Sequence, residues 1–226
     1  MGEAVSEPKR KITQWSYSTY KSYKTCPRKV KLAKIDKIRD PGSAATERGE
    51  RIHAEAEAFV KRELAKLPLS LLKFKSQFNG LIKMKNEVKA EEEWAVTRSW
   101  KACAWGDYDA WLRAKIDAYY IDGGTITIID YKTGKIYPDN KAQVGLYALL
   151  AFERFPIIRK ARVQLWYLDQ GETVEETYTR DEAIDMKAQW EHATANMLAD
   201  DIFPPRPGMH CRWCFYSARN NGNCEF

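Results

Sequence analysis

The spacing of apolar positions changes character partway along the chain. Ser16 or Ser18 can cap a short helix running to about Thr25. Pro27 suits the first turn of a second helix, Arg28 to Lys37. Asp40-Pro41-Gly42-Ser43 reads as a loop. Ala44 to about Lys66, rich in Ala and Glu, reads as a long helix that Pro68 ends. Leu69 to Met84 carries an apolar stripe at helical spacing. Strands follow. Val88–Arg98, Trp111–Ile121 and Thr125–Lys132 are predicted, with Asp122-Gly123-Gly124 as a hairpin turn between the last two. A helix over Pro138–Phe155, strands at Ala161–Leu168 and Thr173–Thr179, and a helix over Arg180–Asp201 complete the order. Helices, three strands, helix, two strands and helix make an α/β protein, a central mixed β-sheet flanked by helices. The expected divisions are a disordered basic tail (1–12), a helical region (13–86), a sheet-bearing core (87–203) and a tail from residue 204 with no periodicity.

Composition narrows this picture. The 226 residues allow one large domain or a domain with an appendage. Hydrophobic residues at 44% and charged residues at 30% are ordinary for a globular chain. No apolar run reaches membrane-spanning length, and MGEAVSEPKRK lacks the apolar stretch of a signal peptide, so a cytoplasmic protein with no membrane partner is expected. The net charge of +6 permits a polyanionic partner. From Lys9 to Lys37 the only acid is Asp36, and Trp15, Tyr17, Tyr20 and Tyr23 interleave the basic residues. Cations meet phosphates and aromatic faces stack on unpaired bases, so Tyr20, Lys21, Lys24 and Arg28 are candidate contacts to single-stranded DNA. An amphipathic helix with core aromatics and a solvated basic face fits the same composition equally well.

The chemistry concentrates at Asp117 and at Asp130-Tyr131-Lys132. Both carboxylates lie a similar distance from the hairpin turn, so they can converge. Converging carboxylates repel unless a cation sits between them, and hard oxygen ligands suit Mg2+ or Mn2+. Lys132, two residues beyond Asp130, shares its face and can stabilise charge on a phosphate. One glutamate of the run Glu91-Glu92-Glu93 could reach the metal, although a solvated or turn-facing run is the better reading, and His192 and His210 match no motif.

Four motifs then occur in order: Gly49-Glu50-Arg51-Ile52-His53, Ala114-Lys115-Ile116-Asp117, Asp130-Tyr131-Lys132 and Gln143-Val144-Gly145-Leu146-Tyr147. Together they resemble the RecB-like branch of the PD-(D/E)XK nucleases, with alanine at 114 where glycine is usual. The resemblance spans about Ser16 to Cys224 and implies a restriction-endonuclease-like core. It implies a metal-dependent DNA nuclease, an exonuclease acting on single strands or DNA ends, and leaves open whether a helicase or recombination partner exists. His53, Asp117, Asp130 and the Tyr131 carbonyl would be metal ligands. Lys132 would be catalytic, and Gln143 and Tyr147 would orient Lys132 or the DNA backbone. A non-catalytic nucleic-acid-binding module is the alternative. No P-loop motif is present, so no ATPase motor is visible.

Five cysteines, an odd number, argue against a disulfide framework. Cys211-Arg-Trp-Cys214 followed by Cys224 suits Zn2+ or an iron–sulfur cluster, with Cys26 as the candidate fourth ligand. An N-terminal cysteine with a C-terminal CxxC…C resembles the CRISPR-adaptation and AddB-type nucleases, which implies a structural four-iron–four-sulfur cluster. The gap before Cys224 is longer than theirs. Cys103 fits no ligand set and reads as a packing residue.

Overall fold

The computed structural model describes residues 11–84, 87–136 and 140–226. They divide into two compact units, Gly42–Gln189 and the combination of Met1–Pro41 with Trp190–Phe226. Among the described residues no helix is long and apolar enough to cross a membrane.

The larger unit is built on a six-stranded sheet in the order β2-β1-β3-β4-β5-β6. Its strands are β1 (Lys89–Thr97), β2 (Ala102–Cys103), β3 (Ala110–Asp122), β4 (Thr125–Lys132), β5 (Lys160–Tyr167) and β6 (Glu172–Thr179). Only β4 and β5 pair in parallel. A parallel pair needs a crossover, which the helix Asn140–Arg154 supplies. The sheet is therefore mixed and flanked by helices, as the order of elements predicts. The β3–β4 hairpin closes through Gly123 and Gly124 with Asp122 facing Thr125, and Gly123 adopts φ 56°, which a two-residue hairpin turn requires.

In chain order the α-helices are α1 (Tyr17–Thr25), α2 (Pro27–Val30), α3 (Ala44–Val60), α4 (Lys75–Lys83), α5 (Asn140–Arg154) and α6 (Arg180–Ala199). Three depart from expectation. α2 gives way at once to a π-helical turn, Lys31–Ile35, which buries Leu32 and Ile35. α3 ends at Val60, because the Glu63 N–H reaches back to the Ala58 carbonyl and Arg62 turns left-handed. The Ala and Glu propensity that favours continuing to Lys66 yields to this reversal. The chain then returns as a 3-10 helix, Leu69–Phe74, before α4 begins. The 3-10 form eclipses residues three apart, so Leu71 and Phe74 are buried together. Their core includes Ile52, Phe59, Phe78, Ile129 and Tyr131, with Phe74 stacked on Trp166 at 5.2 Å. The expected start of α5 at Pro138 lies outside the described residues. Its far end is capped by Arg180, whose guanidinium donates to the carbonyls of Phe152 and Ile158, both at 2.8 Å.

The smaller unit is assembled from both ends of the chain. Ser16 caps α1 by accepting the Thr19 N–H. Trp15, 2% exposed, packs on Trp190 with ring centres 5.7 Å apart. The Tyr23 hydroxyl donates to Asp200 at 2.6 Å. The aperiodic tail is more ordered than its pattern suggests. Tyr216 and Ser217 are buried, Tyr216 donates to the Ile38 carbonyl, and Cys224 N–H binds the Tyr216 carbonyl at 2.7 Å. Gly222 is required there, since a Cβ would lie 2.3 Å from Tyr216 backbone carbon.

Candidate active site

The hairpin positions the acids. Its last rung pairs Ala118 with Ile129, so Asp117 and Asp130 face each other just beyond the ladder. There the Tyr131 N–H, released from strand pairing, donates to Asp117 Oδ2 at 2.6 Å. A strand residue aims its N–H and C=O to the same side, so the Tyr131 carbonyl points toward Asp117 as well. The next carbonyl, of Lys132, points the other way and accepts from Leu168 at 2.9 Å. Beyond Lys132, Asp169 accepts from the Gly134 N–H at 2.7 Å and from both Arg48 Nη atoms at 3.0 and 2.6 Å, tying the strand end to α3.

α3 brings His53 to the same point. The helix passes close to the strand end at Gly49, where a Cβ would stand 3.2 Å from Thr133 Oγ1, tighter than an ordinary contact. One turn later His53 Nδ1 lies 3.2 Å from Asp117 Oδ1. Burial lowers the affinity of this imidazole for its proton, but the Asp117 hydrogen bond and charge, joined by Asp130 and Glu91, outweigh it and raise its pKa above the ordinary value. Asp117 is raised in turn, first by burial, then by the charge of Asp130, against the opposing hydrogen bond from His53.

On the other flank four residues form a closed circuit. Lys132 Nζ donates to Gln143 Oε1 at 2.8 Å, Gln143 Nε2 donates to the Tyr147 hydroxyl at 2.6 Å, and that hydroxyl donates to Asp130 Oδ1 at 3.1 Å. Lys132 Nζ closes the ring 2.6 Å from Asp130 Oδ2. That last approach is an ion pair without hydrogen-bond alignment, so the buried Oδ2 has no aligned donor. Gln143 and Tyr147 reach it together because residues four apart on α5 share a face. Burial, followed by the Asp130 charge, raises the Tyr147 pKa far above a phenol's ordinary value, so it remains a neutral donor.

Of the acidic run 91–93, one residue joins this cluster. The β1–β3 ladder pairs Ala90 with Ala118 and Glu92 with Ile116 but skips Glu91, which adopts φ 57° opposite Asp117. Its carboxylate ion-pairs with Lys115. Ligand atoms of His53, Glu91 and Asp117 lie within 4.8 Å of one another. Three hard or borderline donors this close, beside a buried carboxylate pair, fit a divalent cation. Within the acidic run, the departure from strand geometry at Glu91 separates it from its two neighbours, and no sequence period marks that.

Cys26, Cys211, Cys214 and Cys224 belong to the smaller unit, and Cys103 lies on β2 of the larger one. Cys26 is buried and its sulfur accepts from the Arg206 N–H at 3.5 Å. Cys211 and Cys214 sit on a 3-10 turn, Met209–Trp213, and its cap. The Cys224 thiol is raised mainly by burial, with a further contribution from Cys26. Among the described residues no three cysteine sulfurs lie within 4.8 Å of one another. The donor set is nevertheless all thiol, the chemistry a soft metal takes. The interleaved aromatics of the N-terminal segment pack rather than stand open. Tyr20 lies edge-on to Trp190 at 5.4 Å, and Arg28 reaches Glu225 at 3.5 Å, while Lys21 and Lys24 lie at the surface.

Residues 14–219 match the PD-(D/E)XK nuclease superfamily. Among solved structures, a Eubacterium rectale protein provisionally named an exonuclease superposes with a TM-score of 0.52 at 13% identity, covering 95% of this chain and 90% of that one. A protein named SSO0001 aligns with a TM-score of 0.40 at 16% identity, over 95% of this chain and 88% of its own. No curated protein sequence matches. With the match extending over nearly the whole chain, the protein belongs to the PD-(D/E)XK nuclease superfamily.

Proposed function

We propose that this protein is a Mg2+- or Mn2+-dependent exonuclease of the RecB-like branch that hydrolyses phosphodiester bonds in single-stranded DNA or at DNA ends. The observation that carries the reading is the meeting of Asp117 and Asp130 beyond the last rung of the hairpin, with Lys132 held between Asp130 and Gln143. His53, Asp117, Asp130 and the Tyr131 carbonyl are the proposed ligands, and Glu91 joins them by its proximity to His53 and Asp117. When bound, the cation would make water a stronger nucleophile at neutral pH and offset charge on a phosphate oxygen. The chain supplies the rest. The Lys132 ammonium faces the charge that grows on the phosphate oxygens. Gln143 and Tyr147 hold Lys132 and Asp130 in place before substrate arrives, which removes reorganisation from the reaction. Lys21 and Lys24, at the surface, would meet the DNA backbone, with Tyr20 and Arg28 beside them.

In the same reading Cys26, Cys211, Cys214 and Cys224 hold a structural four-iron–four-sulfur cluster, with Zn2+ as the alternative. Their membership of one unit drawn from both chain ends supports it. Protein purified without oxygen should show visible absorption, iron and sulfide; a colourless protein containing zinc would replace the cluster.

The activity test uses labelled single-stranded DNA with Mn2+, Mg2+ or chelator. Cleavage should need the cation and vanish in Lys132→Ala and Asp130→Ala, with both variants still folded. Full activity in either variant, or cleavage in chelator, would remove these residues from the mechanism.

A further inference from the structure

A second concave feature of the larger unit is unrelated to the carboxylates. Where α3 reverses and α4 returns, a cleft of about 830 Å3 is lined by Arg62, Lys66, Lys75 and Lys83 over an apolar surface that includes Leu64 and Leu72. No carboxylate lines it among the described residues, and no ion pair there engages Lys66, Lys75 or Lys83. Leu64 is 38% exposed, Leu72 47% and neighbouring Leu69 85%. Leu64 and Leu72 line one cleft together, and exposed apolar side chains rimmed by polar groups mark a surface that another molecule covers.

The cleft and the candidate active site share no lining residue. On α3 that site is bordered by Gly49, Glu50, His53, Ala54 and Glu57. Phe59, the α3 residue at the cleft, follows Glu57 by two positions, roughly 200° around a helix that turns about 100° per residue. A phosphate backbone would meet the cations but gains nothing from the leucines. An acidic peptide with apolar side chains satisfies both halves of the surface.

We propose that this cleft docks a short acidic, amphipathic segment of a partner protein. Its carboxylates meet Arg62, Lys66, Lys75 and Lys83, and its apolar side chains cover Leu64 and Leu72. The apolar contact supplies affinity, and the cations supply orientation and a fast, salt-sensitive approach. Arg62 is already oriented, its guanidinium donating to the Ile82 carbonyl.

The probe is a short fluorescein-labelled peptide rich in Asp and carrying Leu and Phe, followed by anisotropy against the full chain. Saturable binding is expected, weakened about tenfold in the double variant Lys66→Glu, Lys75→Glu and similarly in Leu72→Ser. Unchanged circular dichroism and Tm would show that the variants fold. Binding of a nuclease-resistant phosphorothioate oligonucleotide should be the same in all three proteins. Three results would each overturn the proposal: no saturable peptide binding, an Asp-only peptide binding equally well, or variants that weaken the oligonucleotide instead. None of these readouts depends on DNA cleavage.

Discussion

At the residue scale, the circuit joining Lys132, Gln143, Tyr147 and Asp130 behaves as one device. Tyr147→Phe removes the donor to Asp130 and the acceptor for Gln143. A net hydrogen bond is worth about 1 kcal/mol, more when one partner is charged, so cleavage should fall about 10- to 100-fold with the fold retained. Because the members act together, Gln143→Ala combined with Tyr147→Phe should fall little further than the worse single variant, which a double-mutant cycle on cleavage rate reads directly. Glu91 gives a separate expectation. Glu91→Gln should raise the Mn2+ concentration for half-maximal cleavage about tenfold, measured by metal titration. An unshifted midpoint would mean that Glu91 serves only its ion pair with Lys115. The convergence of Asp117, Asp130 and Lys132 was legible in the sequence because a two-residue turn and a period of two are local rules. Glu91 was not, because its left-handed turn belongs to how β1 meets β3.

At the element scale, Asp169 fastens α3 to the end of β4 through Arg48 and Gly134. Its carboxyl pKa is lowered, chiefly by the Arg48 hydrogen bond. A depressed folded pKa stabilises the fold above the unfolded value of about 3.9, and that contribution is lost as the pH falls through the lower folded value. Asp169→Asn should therefore cost about 1–2 kcal/mol at neutral pH after screening by solvent, seen as a Tm lower by roughly 2–8 °C. The difference from wild type should close below about pH 4. Equal Tm values at neutral pH would assign the fastening to the packing of α3 instead. Helix existence was readable here, but helix length was not. α3 stops at Val60 because Leu71, Phe74 and Phe78 must reach the core, a demand that intrinsic propensity does not register.

At the scale of the whole molecule, two units predict two unfolding transitions. The smaller relies on Trp15, which is packed against Trp190 from the other end of the chain. Trp15→Ala should cost that unit about 3–5 kcal/mol. Calorimetry should show one transition moving down and the other, from Gly42–Gln189, staying in place. A single transition that shifts as a whole would show that the units unfold together. The N-terminal aromatics are thus committed to packing, and of the basic residues among them Lys21 and Lys24 remain at the surface.

The sequence by itself determined the order of elements apart from the two-residue strand β2, the β3–β4 register and the shared location of Asp117, Asp130 and Lys132. Each follows from contacts between neighbours in the chain, where turn geometry and side-chain alternation leave little choice. Only the tertiary structure decided which glutamate of residues 91–93 joins His53, how Gln143 and Tyr147 close a ring on β4, and that Cys26 and the C-terminal cysteines share one unit. Those outcomes depend on packing between distant segments, through close approaches such as Gly49 to Thr133, and a linear pattern carries no record of which segments will meet.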